Sequence, residues 1–208
     1  PFAVLVALIL AKHPFGWRFT RNVFVIPNLI STAAIGMIFM NIMDPDYGVI
    51  NAVVRIFCPN FSINWLQDGR TAFMAVSLSW IFFAGQSTLL LLSEIASIPD
   101  TVIEAAKIDG ATDFQIDLHI ILPLLRNIVG TVSILAASFA ITEFSEVFIL
   151  TRGGPGNSTL NLGVYLYKSA MLENNYGLAN TVGVLQLLLG VAAVFSINKL
   201  FRMGEANG

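Results

Sequence analysis

Three long uncharged runs constrain this chain more than any other feature. They cover residues 23–42, 72–92 and 178–198, which are 20, 21 and 21 residues long. A helix of about 20 apolar residues crosses the ~30 Å hydrocarbon core of a bilayer. A fourth segment, residues 127–150, is uncharged for 16 residues and then contains Glu143 and Glu146. We interpret it as a further span whose acids need partners or water, so the sequence predicts four complete transmembrane helices.

Composition supports a membrane protein with a fifth, incomplete span. Of the 208 residues, 56% are hydrophobic and 12% are charged, whereas a soluble domain has about 25% charged residues. The opening PFAVLVALILA is too short to span. It begins without a methionine or a basic n-region, and no small-residue cleavage site follows it. We expect it to be the end of a helix that begins before this sequence, with a signal peptide as the competing interpretation. The chain is thus predicted to be one transmembrane domain over residues 1–208.

Charge and motif content exclude several classes of function. The formal net charge is −2 and no basic run occurs, which argues against nucleic acid as a partner. The single cysteine, Cys58, excludes an internal disulfide and a cysteine metal cluster. No phosphate-binding loop, nucleophile elbow or HExxH motif is present. We therefore expect a non-catalytic chain with no metal site and no cofactor of its own, and any energy source must be another chain.

The loop charges predict the orientation of this multi-pass chain. Seven basic residues fall in loops 12–22 and 93–126 and near the C-terminal end, against four in loops 43–71 and 151–177. Because positively charged loops stay in the cytoplasm, the loop at about 93–126 is predicted to be cytoplasmic.

That cytoplasmic loop contains EAAKIDGATDFQIDLHIILP, residues 104–123. Capping patterns at residues 97–100 and 112–115, with Gly110 between them, predict two short helices joined by a glycine turn. An amphipathic helix pair lying on lipid would carry basic residues, whereas this segment is acidic with a lone lysine, Lys107. A basic protein partner therefore fits the segment better than anionic headgroups.

The same stretch resembles the EAA signature of inner-membrane permease subunits of binding-protein-dependent ABC importers. That signature is Glu-Ala-Ala, three residues, Gly, nine residues, then Ile-x-Leu-Pro. Every fixed position is present at the right spacing. The matching residues are Glu104, Ala105, Ala106, Gly110, Ile120, Leu122 and Pro123.

Further segments are similar to the carbohydrate-uptake branch of this family. They are NIMDPDYGVIN at residues 41–51 and LTRGGPGNSTLNLGVYLYKSAM at residues 150–171. Three positions depart from the family pattern: Asp117 replaces a common aromatic residue, Asn127 a common proline and Arg152 a common glycine. The Asp117 change bears on the docking contacts of the second short helix.

The resemblance implies an all-α, polytopic membrane bundle with the type I ABC importer permease fold, in the cell inner membrane. It implies a subunit that transports a sugar with a second permease, two ABC ATPase subunits that bind the ATP, and an extracytoplasmic solute-binding protein. The EAA helix would couple to the ATPase: Glu104 would meet a basic residue, and Ala105 and Ala106 would allow close entry. Gly110 would make the turn that brings the next helix back to the bilayer, and Asp109 beside it belongs to the same coupling site. Ile120, Leu122 and Pro123 would complete the motif.

Polar residues within the spans are the candidates for the transport pathway. Glu143 and Glu146 lie three apart, on one helix face, and either contact a sugar hydroxyl or reach the outer headgroup region, which we favour. Gln86 and Asn28 either line the pathway or join helices. Three alternatives remain: an ion-coupled secondary transporter using the paired acids, an ABC permease for amino acids or peptides, and a membrane scaffold that does not transport.

Overall fold

The computed structural model describes residues 1–203, except for the side chains of Val25 and Phe82, and within that range all regular structure is helical. Short 3₁₀ stretches follow α2 and α5, and π-helical stretches follow α8 and α12. The α-helices are α1 (Phe2–Ala11), α2 (Trp17–Val25), α3 (Thr32–Ile42), α4 (Val49–Arg55), α5 (Ala72–Ser79), α6 (Ala84–Ile95), α7 (Asp100–Ile108), α8 (Asp113–Ile116), α9 (Leu122–Leu124), α10 (Arg126–Thr142), α11 (Ser145–Leu150), α12 (Leu162–Tyr167) and α13 (Tyr176–Phe201).

Two of the predicted spans are single long helices. Helices α5 and α6 join through a 3₁₀ turn into one helix of 24 residues, Ala72–Ile95, and α13 has 26 residues. At a rise of 1.5 Å per residue, both exceed the hydrocarbon thickness. The uncharged runs at 72–92 and 178–198 are therefore confirmed as helices long and apolar enough to cross a membrane.

The predicted span at 23–42 is wrong as one continuous helix. Helix α2 passes into a 3₁₀ turn, Ile26–Leu29, which contains Pro27. Proline removes a backbone donor and disfavours a continuing helix. Ser31 then adopts an extended conformation, and its hydroxyl accepts the Ala34 N–H at 3.2 Å to begin α3. A serine in this position starts a new helix, so the run consists of two helices.

The predicted span at 127–150 is interrupted as well. Helix α10 ends at Thr142, and α11 begins at Ser145 after Phe144 leaves helical geometry with φ −128°. Two further candidate spans are bent pairs of helices: Trp17–Leu29 with α3, and Asp113–Leu124 with α10. If each pair counts as one span, the described residues contain at most four candidate spans, and otherwise two.

The chain divides into two compact units, each with its own core. Unit 1 combines Pro1–Leu29, Phe82–Ala137 and, within the described residues, 192–203. In it, α1 and α2 pack on α6, and Gly85 lies so close to the Phe24 carbonyl that any side chain would overlap it. The unit 1 core contains Ala7, Leu91, Ala106, Ile116, Ile121, Leu125 and Val132.

Unit 2 combines Ile30–Ile81 and Ser138–Val191. Helix α3 packs along α11 at Gly36, where an added Cβ would lie 3.3 Å from the Ile149 side chain. A glycine therefore lets the two backbones approach closely, as small residues do between membrane helices. The unit 2 core contains Met43, Leu66, Ala75, Val76, Val147, Leu150 and Val164.

Candidate functional sites

The EAA segment folds as two short helices around a left-handed glycine. Helix α7 ends at Ile108, and Gly110 follows with φ 81°. The Ala111 N–H then donates to the Ala106 carbonyl at 3.0 Å, which closes the helix end. Glycine adopts this conformation without strain. We name residues 99–125 the coupling segment.

The second helix of the coupling segment begins as the sequence predicts. The Thr112 hydroxyl accepts the Gln115 N–H, and the Gln115 side chain accepts the Thr112 N–H at 2.8 Å. This reciprocal capping box stabilises the start of α8. The other predicted capping box is wrong: Ser97 donates its hydroxyl to the Glu94 carbonyl, and α7 starts at Asp100 after Pro99 without a side-chain cap.

The exposed tip of the coupling segment is both acidic and apolar. Glu104, Ala105, Asp109 and Gly110 are all exposed. Beside them, Ile108 is 86% exposed and Phe114 is 73% exposed. Large apolar side chains this exposed, rimmed by charge, indicate a surface that another protein covers.

Ala106 has a different place from the one expected. It is 9% exposed and packs in the unit 1 core. Its small size therefore lets α7 lie against its own chain, while Ala105 stays on the outer surface. The two alanines of the motif thus face opposite ways.

Three core residues that sequence reasoning missed anchor the coupling segment. Ile116, Ile121 and Leu125 are 2%, 7% and 0% exposed. A π-helical stretch, Asp117–Ile121, separates the first two, which are five apart and nevertheless face one core. The sequence signal that could have revealed these anchors is the spacing of the apolar residues: five residues from Ile116 to Ile121, then four to Leu125. A regular helix of 3.6 residues per turn does not match this spacing.

The last motif positions lie beside these anchors. Ile120 and Leu122 are half-buried and Pro123 is exposed. The chain bends by 69° between Asp113–Leu124 and α10. Pro123 cannot donate the hydrogen bond that a continuing helix needs, so the motif ends where the coupling segment turns into the next span.

Asp117, which departs from the family pattern, has a partner. Its carboxylate accepts from the Lys12 ammonium at 2.5 Å, and its side chain is 15% exposed. The pair joins the residue after α1 to the π-helical stretch of the coupling segment. A lysine beside a carboxylate makes a charge-assisted hydrogen bond. The aspartate at position 117 therefore links two segments of unit 1.

The second candidate site is the helix break that contains Glu143. The Glu143 carboxylate accepts the Glu146 N–H at 2.9 Å and so satisfies one of the free N–H groups in the first turn of α11. The Glu143 carbonyl accepts from the Asn161 side chain at 2.6 Å, and the Ile141 carbonyl accepts from the Gln186 side chain at 2.9 Å. Backbone groups freed inside a membrane must be satisfied within the protein, and these two amides satisfy the carbonyls.

Glu146 is a buried carboxylate without a hydrogen-bonded partner among the described residues. It is 0% exposed, and neither side-chain oxygen makes a hydrogen bond. The Ser79 hydroxyl and the Trp80 indole are close enough to interact with it. However, the indole N–H also lacks a hydrogen bond, and the Ser79 hydroxyl donates to the Val76 carbonyl at 2.7 Å. Unsatisfied buried groups of this kind are costly and are found at functional positions.

The expectation that both acids reach the headgroups is wrong for this structure. Glu143 is 6% exposed and Glu146 has no exposed surface, because both turn into unit 2. Their predicted place in the transport pathway stays a prediction. Asn28 donates to the Phe24 carbonyl at 2.8 Å, and Gln86 is exposed, both in unit 1.

The loop after α11 is tightly folded by its own side chains. Gly153, Gly156 and two non-glycine residues, Arg152 and Asn157, have positive φ. The Thr159 hydroxyl donates to the Gly154 carbonyl at 2.8 Å and lies 2.6 Å from the Thr151 hydroxyl. These bonds and turns make residues 151–159 a compact loop.

Comparison with known proteins agrees with this fold. The sequence profile of the binding-protein-dependent transport system inner membrane component matches residues 1–203. The chain therefore belongs to the family of inner-membrane permeases of binding-protein-dependent ABC importers.

Two curated bacterial relatives are similar over most of the chain. "Probable ABC transporter permease protein YurN" of Bacillus subtilis is 32% identical over 205 residues, which cover 97% of this chain and 70% of YurN. The multiple sugar-binding transport system permease protein MsmF of Streptococcus mutans is 31% identical over 195 residues, 93% of this chain and 67% of MsmF.

A solved structure shares the fold. It is a bacterial alginate ABC transporter in complex with an alginate pentasaccharide-bound periplasmic protein. One of its chains aligns with a TM-score of 0.82 at 22% identity, covering 97% of this chain and 71% of that chain. The all-α permease fold predicted from the sequence is thereby confirmed.

Proposed function

We propose that this chain is the permease subunit through which an ATP-driven importer moves a carbohydrate across the inner membrane. Family membership over residues 1–203 carries the transport assignment. The carbohydrate assignment is supported by the similarity to MsmF, a permease of a multiple sugar-binding transport system, and by the shared fold of the alginate transporter.

In this proposal the coupling segment docks on an ATPase subunit. The exposed tip offers a carboxylate at Glu104 and apolar side chains at Ile108 and Phe114. A partner cleft with basic and apolar surface would complement this tip. The buried anchors Ile116, Ile121 and Leu125 hold the segment firmly to unit 1, so a force applied at the tip would be transmitted to the adjoining helices.

The other partners follow from how such an importer works. The ATPase subunits would bind and hydrolyse ATP, so this chain would need no cofactor and perform no catalysis itself. A second permease subunit would complete the pathway. In the predicted topology the compact loop at residues 151–159 would lie outside the cell. There it would contact the solute-binding protein, because a loop held by its own hydrogen bonds presents a fixed surface.

The pathway role of the buried acids belongs to the same proposal. A carboxylate without a hydrogen-bond donor, such as that of Glu146, is ready to accept from a sugar hydroxyl when the helices separate. The conformational change that ATP drives would supply that separation. Gln86 and Asn28 would add amide groups along the route.

Uptake by the assembled complex in proteoliposomes tests the proposal. Labelled sugars should enter only with ATP and the loaded binding protein, and uptake should not respond to a pH gradient. An amino acid or peptide panel tested in parallel is the control for substrate class. Uptake driven by a pH gradient without ATP would instead support the ion-coupled alternative.

A further inference from the structure

Helix α4 has its polar side chains on its inner face and exposes an apolar face, the reverse of a surface helix in a soluble protein. Its polar side chains, Asn51 and Arg55, bond to the loop at residues 43–71, and Ile50 packs on the unit 2 core. The other face of the helix is apolar and exposed. Asn51 is 0% exposed, whereas Phe57, just after the helix, is 82% exposed. We name the exposed apolar face, which is spaced as one helical stripe, the α4 stripe. Its members are Val49, Ala52, Val53, Ile56 and Phe57.

Hydrogen bonds fix the inward face of α4. The Asn51 amide donates to the Pro45 and Ile63 carbonyls at 3.1 and 2.9 Å, and it accepts from the Trp65 indole at 2.9 Å. Arg55 donates to the Phe61, Asp46 and Pro45 carbonyls. Six bonds of this kind hold the orientation of the helix, so the α4 stripe is a built surface.

The helices on either side of this loop show where the membrane boundary lies. The last turn of α3 exposes Met40, and the first turn of α5 exposes Phe73 and Met74, which are 67% and 59% exposed. Because these spans belong to a membrane component, exposed apolar side chains at their ends indicate that hydrocarbon reaches those ends. Helix α4 starts close to the end of α3, because the chain between them is a tight turn in which the Gly48 N–H donates to the Asp44 carbonyl at 3.1 Å. The two helices also contact each other directly, so α4 is held close to that boundary.

The size and chemistry of the α4 stripe favour lipid over a protein partner. A stable protein interface uses about 20–30 residues on each side, whereas the stripe has five. An interfacial helix needs only one apolar face with polar groups on the other. Tyr47, which is 70% exposed, adds the amphipathic aromatic side chain that is enriched at membrane boundaries.

We infer that α4 lies in the lipid interface, with the α4 stripe inserted among the acyl chains next to α3 and α5. This inference rests on family membership and not on the identity of the substrate. The helix would fix the depth of unit 2 in the bilayer at the loop between these spans.

The native cysteine makes a direct test possible. In a Cys58→Ser background, Ala52→Cys places a single thiol within the α4 stripe, and Asn60→Cys places one on an exposed polar position of the same loop. Each variant carries an environment-sensitive fluorophore in the assembled complex, reconstituted in phosphatidylglycerol–phosphatidylethanolamine vesicles. Quenching by a lipid with a nitroxide near the headgroup is compared with quenching by aqueous iodide.

The inference predicts opposite results at the two positions. At residue 52, the lipid-borne nitroxide should lower the fluorescence at least twofold and iodide should have little effect, whereas residue 60 should show the reverse. Adding Val53→Asp and Phe57→Asp should reduce the lipid quenching at residue 52 at least twofold while residue 60 stays unchanged. Protection of residue 52 from both quenchers would mean that protein covers the stripe, and iodide quenching there would mean that water does; either result overturns the inference. Sugar uptake is not the readout, so a failure here leaves the proposed function intact.

Discussion

Glu104 and Glu146 are both glutamates on helices of fewer than ten residues, yet their surroundings are opposite. Glu104 lies on the exposed tip of the coupling segment, and Glu146 has no exposed surface. An exposed carboxylate is solvated and available to a partner, whereas a buried carboxylate must be satisfied by its own chain, a ligand or water. The comparison shows that the role of a glutamate in this apolar chain depends on whether its helix exposes or buries the carboxylate.

Charge reversal should have its largest effect at the buried acid. Glu146→Lys buries an ammonium next to the Trp80 indole N–H, another donor that has no partner in the described part of the chain, at a cost on the order of 3 kcal/mol. We expect the amount of folded permease recovered from membranes to fall sharply, measured by size-exclusion chromatography in detergent. Glu146→Gln keeps the shape without the charge and should be recovered at wild-type levels or above. Normal recovery of Glu146→Lys would show that position 146 reaches water.

Charge reversal at the exposed acid should leave the fold intact and abolish coupling. Glu104→Lys reverses the charge at the tip, and Gly110→Val forces a β-branched residue into φ 81°, which costs about 1 kcal/mol or more locally. Both variants should insert normally but lose the ATPase subunits on purification, or keep them without ATP hydrolysis stimulated by the loaded binding protein.

Glu173→Lys is the matched control for this experiment, because Glu173 is also exposed but lies in the loop predicted to be outside the cell. It should assemble and hydrolyse ATP as the wild type does. Wild-type transport by both coupling-segment variants would remove the support for ATPase docking at this segment.

A smaller effect is expected at Glu143, whose carboxylate accepts a backbone N–H in the first turn of α11. Glu143→Ala removes the acceptor of the Glu146 N–H, and loss of a bond of this kind costs about 1 kcal/mol. Glu143→Gln keeps an acceptor oxygen and should unfold close to the wild type. Thermal unfolding in detergent compares the two. Equal midpoints for the alanine and glutamine variants would indicate that this bond contributes nothing.

The smallest effect is expected at the Lys12–Asp117 pair. Because Lys12 is 45% exposed, the bridge should contribute about 0.2–1 kcal/mol. A double-mutant cycle with Lys12→Gln and Asp117→Asn measures this coupling in thermal unfolding, and it should weaken as salt is added. A coupling above this range would mean that the pair is buried in the assembled complex.

The sequence predicted local structure correctly where a few neighbouring residues determine it. The glycine turn at Gly110 and the capping box at Thr112 formed as predicted, since each depends on neighbours within the chain. The runs at 72–92 and 178–198 are likewise single helices. In these places composition and spacing are sufficient.

The breaks could not be predicted from lack of charge alone. An uncharged run indicates what lipid tolerates. The places where helices restart depend on local bonds: Ser31 caps α3, and the Glu143 carboxylate accepts an N–H in the first turn of α11. The burial of Glu146 depends on α3, which packs on α11 from far away in the sequence, and the burial of Ala106 depends on the unit 1 core. The π-helical stretch at Asp117–Ile121 also shifts the apolar spacing by one residue, which no regular period anticipates.

Helix α13 has a consequence for how the protein is assembled. Only 11% of its most apolar stretch is buried, and the Gln186 side chain is a polar tie from it to the Ile141 carbonyl. A helix with so little contact to its own chain gains its free energy from transfer into lipid, before any packing. We therefore expect α13 to insert as an autonomous helix during biosynthesis and to dock afterwards, so that substitutions over most of its surface alter insertion rather than folding.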